Sequence, residues 1–257
     1  MKKKSASKRY YGWIPDVPDQ RDMFYATRVS LTKLPIKADL RSHCPPVYDQ
    51  GSLGSCTANA IGAAIQFERS KQKFKPDFIP SRLFIYYNER VIENSVASDA
   101  GAQIRDGIKS IATQGVCPEP EWPYDILEFA RKPTAQCYKD AIIHTAVQYQ
   151  RIPQVLSQMK GCLASGYPFV FGFSVYTGFE SEDVAETGEA NMPTGKERLI
   201  GGHAVVAVGY DDSTQRFNVR NSWGKKWGNK GYFTLPYAYL TDANLADDLW
   251  TIRLESA

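Results

Sequence analysis

Apolar positions follow two different rhythms along this chain. In the run Cys56 to Arg69, Ala60, Ile61, Ala64 and Ile65 recur at helical spacing and predict a buried helix with a narrow apolar stripe, which Ser55 is placed to cap. A second helix is predicted from Ser81, before Arg82-Leu-Phe-Ile-Tyr-Tyr-Asn-Glu-Arg90, and a third from about Ala102 to Thr113, ended by Gly115 and Pro118. The character changes near Ala146. After Gly161 come the short β-rich runs Phe169 to Val175, His203 to Tyr210, Phe217 to Asn221 and Gly231 to Leu235, separated by turn residues such as Asp211-Asp-Ser and Gly228-Asn229. Helices first and strands second predict an α+β fold with two segregated layers rather than alternating βαβ units.

Upstream of Thr32 neither period is present. Tyr10, Tyr11, Trp13 and Phe24 are unfavourable to leave in water, so this stretch reads as an extended arm lying on something. Leu34 to Gly54, with recurring Pro, Gly and Asp, reads as an ordered loop. Three segments follow: 1–33 as an N-terminal extension, 34–145 as a helical domain and 146–257 as a β-rich domain.

The 31 basic and 28 acidic residues give a net charge of +3. Lys2, Lys3, Lys4, Lys8 and Arg9 account for five of the positive charges, so the body carries 26 against 28, a charge of −2. A basic face for nucleic acid is therefore not expected, and the tail reads as solvated or as a functional arm. The longest apolar runs, such as Val205-Val-Ala-Val208, fall far short of the ~18 residues that span a bilayer. No apolar stretch follows the basic start, so no secretory signal is read; a cytoplasmic or non-classically exported protein without membrane partners is expected. Five cysteines with no CxxC or CxxxH pair predict reduced thiols and no zinc site or other cofactor; His43 beside Cys44 lacks a second ligand pair.

Three separated pieces carry the chemistry. In Gln50-Gly-Ser-Leu-Gly-Ser-Cys56 a thiol stands in the first turn of the predicted helix, where free N–H groups and the helix dipole favour thiolate. In Gly201-Gly-His-Ala-Val-Val-Ala-Val-Gly-Tyr210 an imidazole stands at the mouth of a buried strand. In Arg220-Asn-Ser-Trp-Gly-Lys-Lys-Trp-Gly228 an amide ends a strand and Trp223 can shield it from water. Each alone suits a structural role. Together, Cys56, His203 and Asn221 supply a nucleophile, its base and the group that orients the base, and Gln50 with the Cys56 N–H can donate to an oxyanion.

These segments resemble the papain-like cysteine peptidases. The Gln-x5-Cys spacing, the Gly-His-Ala-Val strand and the Asn-Ser-Trp-Gly run carry the likeness over about Pro35 to Leu235, with His203 and Asn221 lying 147 and 165 residues after Cys56. The resemblance implies a helical left domain, a β-barrel-like right domain and a cleft between them that takes a peptide or protein substrate. It also implies catalytic Cys56, His203 and Asn221, with Gln50 in the oxyanion hole. By rough alignment, Gly101 would pair with substrate backbone, Gly201, Gly202 and the Phe171 to Phe173 strand would line an open pocket for a bulky apolar side chain, and Trp223 would border the site.

Departures from that pattern matter. Thr57 stands where the family usually has Trp, and Leu53 where it has the first disulfide cysteine. Only about 33 residues precede the mature-like region; Tyr10 to Phe24 is read either as lying in or beside the cleft and restraining activity, or as simply packing on the body. The acidic run Glu180 to Glu189 is expected as a solvated loop near the cleft, Trp122-Pro-Tyr124 as packing, and His144 as structural or exposed. A binding or inhibitory protein with a blocked cleft, and an acyltransferase of transglutaminase-like chemistry, remain as alternatives.

Overall fold

The structure is a computed structural model that describes residues 10–30, 33–145 and 147–254. The basic tail Lys2 to Arg9 and the change of character at Ala146 lie outside the described residues.

Helix α1 (Cys56–Lys71) is the structural axis. It is followed by α2 (Arg82–Ile92) and α3 (Ile104–Gln114), both of which pack on it, while its other side lies on the sheet. Burial therefore runs around its whole girth from Cys56 to Arg69, not along the single stripe that periodicity predicts. Ala58, Ala60, Gly62, Ala63 and Ala64 make this possible, because short side chains let neighbours approach from every direction.

Ser55 precedes α1 but makes no side-chain cap bond. Its hydroxyl instead meets that of Tyr124, a bond across to another segment that outcompetes a local one. Ser81 does cap α2, accepting from the Phe84 N–H at 3.1 Å while donating to the Trp122 carbonyl at 2.7 Å. Trp122-Pro-Tyr124 thus holds the starts of two helices. Gly115, at φ +75°, ends α3.

Thr57 has a use of its own. Its hydroxyl donates to Glu89 Oε1 at 2.6 Å inside the helical layer, where burial pushes the Glu89 carboxyl well above its usual range. A Thr57→Val variant keeps the shape and removes this donor, so it is expected to destabilise the protein by about 1–3 kcal/mol, read by chemical denaturation.

The strands are β1 (Lys37–Asp39), β2 (Val147–Arg151), β3 (Phe169–Tyr176), β4 (Leu199–Asp211), β5 (Arg216–Arg220), β6 (Tyr232–Pro236) and β7 (Ala246–Leu254). They form one antiparallel sheet in the order β2-β7-β3-β4-β5-β6, with β1 also pairing to β4. Both faces of its centre are covered. Phe169, Phe171, Phe173, Val205 and Ala207 enter one core cluster, while Val170, Ala204, Val206 and Val208 enter the other, beside α1. Two buried faces explain why β3 and β4 read as continuous apolar runs rather than alternating ones.

Around the sheet lie α4 (Ala135–Ala141), α5 (Leu156–Ala164), α6 (Glu182–Thr187) and α7 (Tyr237–Thr241). The acidic run is not a loop. A 3-10 turn over Thr177–Glu180 leads into α6, capped by Ser181, and buried Phe179 and Val184 pin it to the body. The His144 ring rests on Phe78 with centroids 4.7 Å apart. No helix among the described residues is long and apolar enough to cross a membrane.

Candidate active site

Cys56 opens α1, His203 lies on β4 against which α1 packs, and Asn221 directly follows β5, a sheet neighbour of β4. The fold therefore brings the three sequence-distant pieces to one place. All three residues are buried.

His203 Nε2 lies 2.8 Å from Asn221 Oδ1, and that oxygen also accepts the Ser222 backbone N–H at 2.8 Å. A backbone N–H can only donate, so the atom facing the imidazole is the amide oxygen. The hydrogen of neutral His203 then sits on Nε2, leaving the Nδ1 lone pair as the basic position. Trp223 stacks on the ring at 4.9 Å and 26° and walls it from water.

Gln50 is oriented by the same loop. Its Oε1 accepts from the Ser222 hydroxyl at 2.6 Å, and its Nε2 donates to the Leu53 carbonyl at 2.9 Å and to the Tyr10 carbonyl at 3.2 Å. Ser222 thus fixes both amides, one through its backbone and one through its side chain. Sequence reasoning passed over it, although it stands between Asn221 and Trp223 in the most distinctive motif.

Residues 10–16 run across these groups. The Trp13 N–H donates to the Gly202 carbonyl at 2.9 Å, the Ala102 N–H to the Gly12 carbonyl at 2.7 Å, and the Ile14 N–H to the Ala102 carbonyl at 3.0 Å. The pairing atoms therefore belong to Ala102 and not to Gly101, whose N–H is turned to the Tyr86 hydroxyl at 3.2 Å. Gly101 supplies closeness: its φ is +79°, and a Cβ there would stand 2.3 Å from the Gly12 carbonyl oxygen.

Gly201 and Gly202 face Tyr11 and Trp13 respectively. The Tyr11 hydroxyl donates to Glu180, and its ring meets His203 edge-on. The Trp13 indole fills the space over Gly172, where a Cβ would come within 1.9 Å of it, and its N–H donates to Asp248 at 3.0 Å. Of the Phe171 to Phe173 strand, only Gly172 borders this space. Phe171 and Phe173 point into the opposite core, as strand alternation requires. Asp248 was not legible from its surroundings in sequence, because nothing near it marks chemistry.

The helix start alone would favour thiolate at Cys56. Instead burial pushes this thiol up to about 12, outweighing the backbone N–H groups of Ala204, Gly12 and Thr57 that pull it down. Gly12 belongs to the covering segment, so the same residues that hydrogen-bond the sulfur also exclude water from it.

Residues 34–249 match the profile of the papain family cysteine proteases. This chain belongs to that family. A peptidase C1-like protein of Acanthamoeba polyphaga mimivirus is 45% identical over 274 residues, covering 97% of this chain and 88% of its own. Xylellain, a cysteine protease from Xylella fastidiosa, is 48% identical with a TM-score of 0.90, over 98% of this chain and all of its own. A digestive procathepsin L of Tenebrio molitor, 18% identical with a TM-score of 0.72 over 96% of this chain and 76% of its own, shares the fold. The papain-family chain described here is a cysteine peptidase that hydrolyses peptide bonds, and neither of the two alternatives is favoured.

Proposed function

We propose that Cys56 is the nucleophile of this peptidase and His203 its base. His203 Nδ1 takes the thiol proton, the sulfur attacks the scissile carbonyl, and the imidazolium gives the proton to the departing amine. Water, deprotonated by the same nitrogen, then cleaves the thioester and restores the thiol. Asn221 orients the ring; as a neutral amide it adds no charge to a pair that already balances as thiolate and imidazolium. The Gln50 Nε2–H and the Cys56 N–H stabilise the oxyanion, and Trp223 keeps water from the His203–Asn221 bond. The observation that carries these roles is that bond, whose polarity the Ser222 N–H fixes.

Substrate backbone is expected to pair with Ala102 and Gly202, alongside Gly101 and Gly201. In this reading the N-terminal arm occupies the cleft and restrains activity. Tyr10 takes the Gln50 donor, and Gly12, Trp13 and Ile14 take the backbone partners a substrate needs. Deleting residues 1–32 is expected to raise hydrolysis of a fluorogenic peptide; an unchanged or lower rate in a folded protein would refute the restraint. In that deleted form, Gln50→Ala is expected to lower kcat by about a hundred- to a thousandfold with little change in KM, as loss of an oxyanion donor does. A loss confined to KM would remove Gln50 from this role.

A further inference from the structure

Two carboxyls meet where the arm docks, and catalysis requires neither. Asp16 belongs to the arm; Asp248 lies on β7 with φ +57°, a left-handed backbone that a non-glycine residue adopts only when its surroundings enforce it. Both are buried. Asp248 Oδ2 accepts the Asp16 backbone N–H at 2.8 Å and the Trp13 indole at 3.0 Å, so one body carboxyl holds two points of the arm. Asp16 in turn accepts the Arg105 backbone N–H at 3.1 Å and the Trp250 indole at 2.8 Å.

The charges around the pair do not balance. From β2, Arg151 reaches Asp248 at 3.0 Å but also Asp247 at 2.8 Å and Asp22 at 3.6 Å. From α3, the Arg105 guanidinium is taken by Asp22 at 3.1 Å, Asp19 at 3.9 Å and the Val17 carbonyl. Lys109, also on α3, reaches only Asp19, at 3.4 Å. Among the described residues no ion pair reaches Asp16. Its carboxyl therefore enters a buried, already acidic site where its hydrogen-bond donors are neutral and the Arg105 and Arg151 charges act on it without a direct pair, and a proton is the charge partner that the site leaves open.

We propose that Asp16 and Asp248 form a proton-dependent latch, which seats the N-terminal arm firmly in acid and loosens it as the pH rises towards neutrality. Burial, and next the charge of Asp248, raise Asp16 from the ordinary carboxyl range to about 7, and burial raises Asp248 as well. An undocked Asp16 in water has its ordinary affinity for protons, so the docked form binds them more tightly. Docking is then strongest below the ordinary carboxyl range and weakens progressively up to about pH 7. Any effect of the latch on peptide hydrolysis rests on the reading that the arm restrains the enzyme; the docking itself does not.

The test is hydrogen exchange at the Trp13 and Ile14 amides of the full chain carrying Cys56→Ser, at pH 5 and pH 8, corrected for intrinsic exchange, with β3 and β4 amides as the internal standard. Protection of the two arm amides is expected to fall at least about tenfold between these values, and no more than about threefold in Asp16→Asn, which keeps an acceptor for Trp250. Equal protection at both values, or an equally steep fall in Asp16→Asn, would overturn the latch. Should Asp16→Asn leave the arm unprotected even at pH 5, Asp248→Asn decides: a clearly shallower fall than wild type supports the latch and an equal one overturns it. Failure of the restraint reading looks different, as an unchanged hydrolysis rate on deletion of residues 1–32 while the protection still falls with pH.

Discussion

A Cys56→Ala variant is expected to lose at least about ten-thousandfold in kcat/KM while keeping its fold. Losses of that order follow when the nucleophile of a coupled Cys–His or Ser–His unit is removed, because base, orienting amide and oxyanion donors then have nothing to act on. The fold should tolerate the change. The thiol lies among backbone N–H groups at the head of α1, and alanine leaves neither a buried charge nor a large void. Labelling by an epoxide thiol inhibitor makes the site assignment direct. In the form lacking residues 1–32, where the arm no longer covers Cys56, labelling should vanish on its replacement, because Cys117, Cys137 and Cys162 stay buried and burial pushes the thiols of Cys44, Cys117 and Cys162 upward. Hydrolysis within about a hundredfold of wild type in the alanine variant would place the nucleophile elsewhere.

The opposite effect is expected from Gly12→Ala. A Cβ on Gly12 would stand 1.7 Å from the Gly54 carbonyl oxygen, and that oxygen belongs to the backbone just before α1 rather than to a side chain that can swing away. The arm cannot seat in the same place, although no body residue has changed. The initial rate of peptide hydrolysis should rise about tenfold or more with the arm still attached, since each 1.4 kcal/mol of lost docking is a tenfold gain in open molecules. Alkylation of Cys56 at neutral pH should quicken in parallel: once water reaches the sulfur, the burial that holds it up near 12 is relieved and the thiolate fraction grows. A variant with a lowered melting temperature but the wild-type rate would show that the seated arm does not restrain hydrolysis.

Much of the candidate site was legible because its residue types are unusual and stand at fixed spacing. Cys56, His203 and Asn221 were readable as residues the fold brings together, and so was Gln50, which keeps its spacing to Cys56 within one continuous loop. The β runs were readable because both faces of β3 and β4 are buried. What escaped is what depends on approach between distant segments. Ser55 faces either the local N–H groups of α1 or a tyrosine 69 positions away, and only the fold reveals that Tyr124 wins. Gly101 and Ala102 differ by one register step, which no side chain announces. Asp248 looks like an ordinary acidic residue until the arm lays Trp13 and Asp16 against it. Burial reversed the inference for Cys56, since a helix start favours thiolate only where water or cationic neighbours reach the sulfur.

The arm has a second backbone attachment. Beyond the stretch at Cys56, the Tyr25 N–H donates to the Arg151 carbonyl at 2.8 Å and the Arg151 N–H to the Met23 carbonyl at 2.8 Å, so residues 23–25 lie along the open edge of β2. Between the two, Pro18, Gln20 and Arg21 stand exposed. On the proposed reading that the arm restrains the enzyme, that short bridge confines the restraining piece to its own molecule at a local concentration on the order of millimolar, whatever the dilution of the enzyme. A single nick at Arg21 would leave the anchored half on the sheet and make the other half an ordinary dissociable ligand, so the nicked enzyme would open on dilution whereas the intact one would not.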